Sequence, residues 1–169
     1  RGMAVAAAAR MLERGEVPKP ALVYVIPTYH NPMGTVMPGD RREALVELAS
    51  KHDFLIASDE AYHLLHYGDP PPPPLAAVDR SDDGRAVSLG SFSKILAPGI
   101  KLGWVQANPK LVDRYTYSGS NFSGGNNNFA ASIIDVAIRD GLLADHMANL
   151  RDTYRHRVGV MASGLTSAL

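Results

Sequence analysis

The chain reads as an α/β domain with a largely parallel sheet. Three observations predict this. Short apolar runs alternate with helix-period segments at spacings suited to βα units. The polar motifs follow the strand ends, where ligands of such sheets sit. The 169 residues, 46% of them hydrophobic, suit one domain with a sizeable core.

Residues 3–14 are Ala-rich and helix-prone, with Met3, Ala7, Met11 and Leu12 at helical spacing. Gly15 and Pro18 end that helix. Residues 21–26 (ALVYVI) form an apolar, β-prone run that predicts a buried strand. Residues 27–39, with three prolines and two glycines, predict a loop. Asp40-Arg41-Arg42-Glu43 has the pattern of a capping box, and Ala44, Leu45, Leu48 and Ala49 form the apolar stripe of the helix behind it. Residues 54–57 (FLIA) predict a second buried strand. The five prolines at 70–74 favour polyproline II, and a stiff surface loop is preferred to a ligand for a proline-binding module.

Residues 86–89 and 102–106 predict the third and fourth strands, with Trp104 in the core. Asn108-Pro109 predicts a turn or short helix, residues 118–128 a Gly/Ser/Asn-rich loop, and residues 129–139 and 142–165 two helices. Arg151, Arg155 and Arg157 read as a solvated helix face. No repeat and no linker divides the chain.

Composition excludes several classes. Lys+Arg and Asp+Glu number 17 each, so there is no basic excess for nucleic acid or an anionic membrane surface. The absence of cysteine removes disulfide frameworks, Cys zinc sites and thiol catalysis. The histidines lack zinc-ligand spacing. No run approaches the roughly 20 apolar residues of a membrane span. The start, Arg1-Gly2-Met3, carries no signal-peptide pattern, and the chain is expected to be a piece of a longer protein. Its compartment is open, with the cytoplasm the default.

Three segments carry chemistry. Ser91-Phe92-Ser93-Lys94 places an amine beside two hydroxyls just after a predicted strand. A desolvated lysine, or one beside a cation such as Lys101, becomes a nucleophilic amine. The bland alternative is a solvated strand-end charge. Ser58-Asp59-Glu60-Ala61-Tyr62 follows the second strand, and one helical turn would put Asp59 and Tyr62 on one side. A buried Asp59 needs a cation, such as a protonated ring nitrogen. An N-cap Asp with a core Tyr is the alternative. Asn31-Pro32-Met33-Gly34 follows the first strand; proline holds Asn31 out of the α region, so its amide can face a site or simply make a turn.

Together, in this order, these segments resemble the class I/II aminotransferases, pyridoxal-phosphate enzymes of fold type I. The family pattern is N-P-x-G, D-x-x-Y, S-x-S-K and then P-G-x-R-x-G. This chain has Asn31-Pro32-Met33-Gly34, Asp59-Glu60-Ala61-Tyr62, Ser91-Phe92-Ser93-Lys94 and Pro98-Gly99-Ile100-Lys101-Leu102-Gly103. The resemblance is densest over residues 23–106. It implies a three-layer α/β/α large domain, incomplete here, with residues 1–169 covering part of it and the last helix leading toward a small domain.

The resemblance also implies roles. Lys94 would form the internal aldimine with pyridoxal 5'-phosphate and move the proton. Asp59 would hold the pyridine nitrogen protonated. Tyr62 and Asn31 would bind the ring's 3-oxygen. Ser91, Ser93 and Lys101 would hold the phosphate. Lys101 departs from the family's usual Arg and offers a point charge in place of a two-pronged grip. Met33 stands where Thr is frequent. The phosphate-cradling turn, the ring-stacking aromatic and the substrate-carboxylate Arg have no counterpart that can be placed here.

The implied activity is transamination between an amino acid and a 2-oxo acid, in a homodimer when full length. The alternatives are lyase, decarboxylase or synthase chemistry on the same cofactor, or an aminotransferase-like sensor domain of a transcription regulator.

Overall fold

The computed structural model describes residues 2–122 and 127–168, without the side chains of 120–122. The Gly124-Gly125 segment lies outside the described residues. Among the described residues, four strands form one sheet in the order β1-β2-β3-β4. They are Leu22–Val25, Leu55–Asp59, Ala86–Ser91 and Gly103–Gln106. The first three are parallel, and β4 returns antiparallel to β3. The predicted α/β class and mostly parallel sheet hold.

Among the described residues the α-helices are α1 (Val5–Glu13), α2 (Gly39–His52), α3 (Leu75–Val78), α4 (Pro109–Phe122), α5 (Asn128–Arg139) and α6 (Leu142–Ala168). The main core joins α1, α2 and α3 to one sheet face, through Val25, Leu45, Leu48, Ala49, Ile56, Leu75 and Ala86. Leu45 and Ile56 are fully buried. Truncating either to Ala costs about 2–5 kcal/mol. A second cluster joins Phe92 and Ile95, just after β3, to Ile134 of α5 and Met147 of α6.

Five expectations need correction. The run at 21–26 is not a buried strand. In β1 only Val25 is buried, and Leu22 and Tyr24 are exposed, because the face they share is largely uncovered in this chain. All of β4 is exposed, so Trp104 lies at an edge, packed at 4.9 Å on Phe92. Residues 40–43 make no capping box: Pro38 takes the N-cap position, the helix starts at Gly39, and no side chain caps it. The segment after Asn108 is a 14-residue helix that runs through the first five residues, 118–122, of the loop expected at 118–128. Arg151 and Arg155 are not merely solvated, since their Nε atoms donate to the carbonyls of Leu64 and Tyr67.

Two glycines set the β3–β4 approach. A Cβ on Gly90 would fall 2.0 Å from the Trp104 ring, and one on Gly103 would fall 2.5 Å from the Gly90 carbonyl. Only glycine at both positions lets the antiparallel edge close under the Ser91 turn.

Candidate active site

The site is built where β1, β2 and β3 end. β2 finishes on Asp59, whose side chain shares the open sheet face with Tyr24, because Tyr24 is in register with Ala57 two residues earlier. The Tyr24 hydroxyl donates to Asp59 Oδ2 at 2.7 Å, and the Ala61 N–H donates to Oδ1 at 3.1 Å. The carboxylate is therefore oriented, and among the described residues its remaining lone pairs take no further hydrogen bond. The hydrogen bond to Asp59, with burial and the nearby Tyr62 adding, pushes the Tyr24 phenol up to about 12. Sequence reasoning gave Tyr24 no role. Its signal was present in the period of two, which puts a phenol on the face opposite Val23 and Val25.

Asp59 and Tyr62 are not on one helical turn, as the spacing had suggested. Asp59 belongs to the strand, residues 60–62 turn, and Tyr62 caps a short 3-10 helix, His63–Leu65. Tyr62 remains near enough to Tyr24 to help hold that phenol up. Lys94 Nζ lies 6.0 Å from the centroid of the Tyr62 ring. Lys94, Tyr62, Tyr24 and Asp59 thus form one connected group from three strand ends.

The Lys94 turn is held by its apolar members. Phe92 and Ile95 are buried in the second core cluster, and a ring nitrogen of His146 lies 3.0 Å from the Ile95 carbonyl. The Leu96 and Ala97 N–H groups donate to the Phe92 carbonyl, and the Phe92 N–H donates to that of Leu102. In this turn Ser91 and Ser93 stay partly exposed and Lys94 is exposed, while Phe92 and Ile95 face the core. The Ser93 N–H donates to Ser91 Oγ at 3.1 Å. Lys101 follows the short helix Pro98–Ile100 in the left-handed region, at φ 51°, and is exposed.

Asn31 is exposed beside a cis Asn31–Pro32 bond. Its loop is closed by Gly34 N–H to His30 carbonyl and Met37 N–H to Pro27 carbonyl bonds. Among the described residues, no hydrogen bond joins Asn31 to Tyr62 or Lys101 to the serines. A cavity of about 580 Å³ opens beside Tyr24, lined also by His30, Met33 and Met37. The Nδ1 atom of His30 is buried there without a hydrogen-bond partner among the described residues.

Behind Asp59 lies a buried polar cluster that sequence reasoning missed. Arg42 is fully buried, and Glu60 is 5% exposed. Arg42 Nη1 stands 3.8 Å from Glu60 Oε1. Glu60 accepts hydrogen bonds from Ser58 Oγ (2.7 Å), Thr28 Oγ1 (3.0 Å) and the Leu75 N–H (3.3 Å), with His63 Nδ1 at 3.5 Å. Burial raises the Glu60 carboxyl, but the bonds from His63, Ser58 and Thr28 and the Arg42 charge outweigh it and hold it below the usual range. Burial likewise lowers the Arg42 guanidinium, and Glu60 opposes that.

The family model for aminotransferase class I and II matches residues 5–168. The chain belongs to this family. It is 37% identical over 147 residues to aromatic-amino-acid aminotransferase 1 of Thermococcus litoralis, covering 87% of this chain and 35% of that protein. The multiple substrate aminotransferase of Thermococcus profundus superposes with a TM-score of 0.85 at 36% identity, over 98% of this chain and 41% of that one. The kynurenine aminotransferase of Pyrococcus horikoshii, solved with PMP, gives 0.85 at 32% identity over the same shares. This chain therefore spans well under half the length of these aminotransferases. Among the described residues, no helix is long and apolar enough to cross a membrane.

Proposed function

We propose that this chain is the cofactor-binding core of a pyridoxal-phosphate-dependent aminotransferase, which moves an amino group between an amino acid and a 2-oxo acid. The observation that carries the reading is the connected group of Lys94, Tyr62, Tyr24 and Asp59 at the strand ends. The donor set fits the cofactor. An amine for its aldehyde, a carboxylate for its ring nitrogen, a phenol for its ring oxygen, and hydroxyls with a cation for its phosphate occur at one end of the sheet.

Each side chain then has a task. Lys94, which makes no ion pair among the described residues, would hold the cofactor and carry the proton taken from the substrate Cα. Asp59, aimed by Tyr24 and Ala61, would take the ring N–H and keep it charged. Tyr62 and Asn31 would serve the ring oxygen. Ser91, Ser93 and Lys101 would bind the phosphate. When bound, the cofactor supplies a cationic aromatic ring that draws electron density from the substrate Cα.

The named relatives favour transamination over lyase or sensor readings, and an aromatic amino acid as the first donor to test. A homodimer is the proposed full-length assembly.

Reduction with borohydride after incubation with pyridoxal phosphate, followed by peptide mapping, tests the assignment. Label on Lys94 supports it, and no label in this chain or in the longest natural form carrying it overturns it. Release of a 2-oxo acid only when an oxo-acid acceptor is present separates transamination from elimination.

A further inference from the structure

The buried pair behind Asp59 has an unusual set of partners. Arg42 Nε donates to the Met37 carbonyl at 3.0 Å. Its Nη2 donates to the Pro27 carbonyl at 3.2 Å and to Thr28 Oγ1 at 2.8 Å. Its Nη1 donates to the Pro73 carbonyl at 2.8 Å. One guanidinium therefore binds both ends of the 27–37 loop, which carries Asn31, and the proline run at 70–74. Glu60 completes the set, since it accepts from Thr28 in that loop and from the Leu75 N–H just after the prolines. It also sits between Asp59 and Tyr62 in sequence.

Proline carbonyls suit this use. A proline has no N–H, so a proline run has no ladder of its own, and its stiff backbone presents carbonyls at fixed positions. The ring of Pro73 is exposed, so its carbonyl is its contribution to the cluster. A guanidinium is the group that can serve several acceptors at once in one plane.

We propose that Arg42 and Glu60, braced by the proline run, are positioning residues that hold the Asn31 loop and the Asp59–Tyr62 turn in register for the cofactor. This rests on the aminotransferase reading. Neither residue touches the reacting atoms; both act through the neighbours they hold.

The test titrates the apoprotein, in the longest natural form, with pyridoxal phosphate. The variants are Arg42→Lys, Arg42→Met and the double variant Arg42→Met/Glu60→Gln, with thermal unfolding of each apo form. Arg42→Lys keeps the charge but reaches fewer acceptors, so the cofactor Kd rises about tenfold. Arg42→Met strands a buried carboxylate and melts early. The double variant removes that charge and regains melting temperature, while its cofactor Kd stays raised.

Recovery of affinity in step with melting temperature would make the pair a folding device and overturn the proposal. So would an unchanged Kd in Arg42→Lys. If the wild type takes up no pyridoxal phosphate, the functional reading falls, and hydrogen exchange decides the positioning itself. Faster exchange at the Ala61 amide in Arg42→Lys supports it, and unchanged exchange overturns it.

Discussion

Asp59 and Glu60 are adjacent carboxylates with opposite lives. Asp59 ends a strand on the open sheet face, with one phenol and one N–H as partners. Glu60 is buried behind it, with two hydroxyls, an N–H, an imidazole and a guanidinium around it. Glu60 has spent its lone pairs inside the chain, whereas Asp59 has kept capacity for a ligand. One peptide bond thus separates a group available for chemistry from a group committed to structure. The alternation at the end of β2 accomplishes the separation.

The contrast breaks most sharply by substitution at Asp59. Asp59→Asn keeps the shape and the Tyr24 contact but loses the charge proposed to face the ring nitrogen. We expect turnover to fall about 10³-fold. Stability should move by no more than about 0.5 kcal/mol, because the site is half-exposed. Steady-state kinetics beside thermal unfolding checks both halves, and near-normal turnover would remove Asp59 from the proposed role.

Glu60→Gln gives the reverse pattern. It costs about 1–3 kcal/mol at pH 7, because charge-assisted bonds are replaced by neutral ones in a buried site. The pH dependence follows from the lowered carboxyl. A group held below its unfolded value of 4.5 stabilises the fold above that pH. That stability drains away as pH falls through the lower folded value. Melting curves from pH 7 downward should therefore converge, the variant starting lower and declining less. Asp79 remains in both proteins. Its burial is outweighed by bonds from Ser81, Arg85 and Ala86, so it too is held low, and some acid slope survives in the variant. Parallel curves would show that Glu60 carries no linked proton.

Tyr24→Phe sharpens the comparison on the Asp59 side. It removes one hydrogen bond to a charged acceptor, worth roughly a five- to tenfold loss of turnover. With the phenol pushed up to about 12, Tyr24 stays protonated across the working range. The variant-to-wild-type ratio should be flat from pH 6 to pH 10 in a pH–rate profile. A ratio that changes within that range would mean that the phenol itself titrates there.

The legible parts of this molecule are contiguous in sequence. Ser91-Phe92-Ser93-Lys94 and Asp59-Glu60-Ala61-Tyr62 could be read as candidates because each is four consecutive residues at a strand end. Arg42 was hidden, because its partners at Pro27, Pro73 and Glu60 lie 15, 31 and 18 positions away and an Arg in a helix's first turn reads as solvated. Tyr24 was hidden because an apolar run of six suggested burial on both faces, yet the chain leaves one face largely uncovered. The same reason undid Trp104: a short apolar strand reads alike in the middle of a sheet and at its edge. The proline run was visible as stiffness, but its use lay in carbonyls, to which composition is blind.

The smallest effect concerns residue 101, the clearest departure from the family pattern. Lys101 already occupies the left-handed region at φ 51°, an uncommon place for a residue other than glycine. Arg meets the same backbone demand, so Lys101→Arg adds no new strain. It exchanges a point charge for a planar fork able to give two parallel hydrogen bonds to a phosphate. We expect pyridoxal phosphate to bind about threefold more tightly, roughly 0.6 kcal/mol, with turnover at saturating cofactor unchanged. Fluorescence titration of the apoprotein reads the difference. Weaker binding would mean that residue 101 points away from the phosphate, and Ser91 and Ser93 would then hold it with another cation. Either result sharpens the contrast with Arg42: a guanidinium used at 42 to hold backbone, and one absent at 101 where a ligand would be gripped.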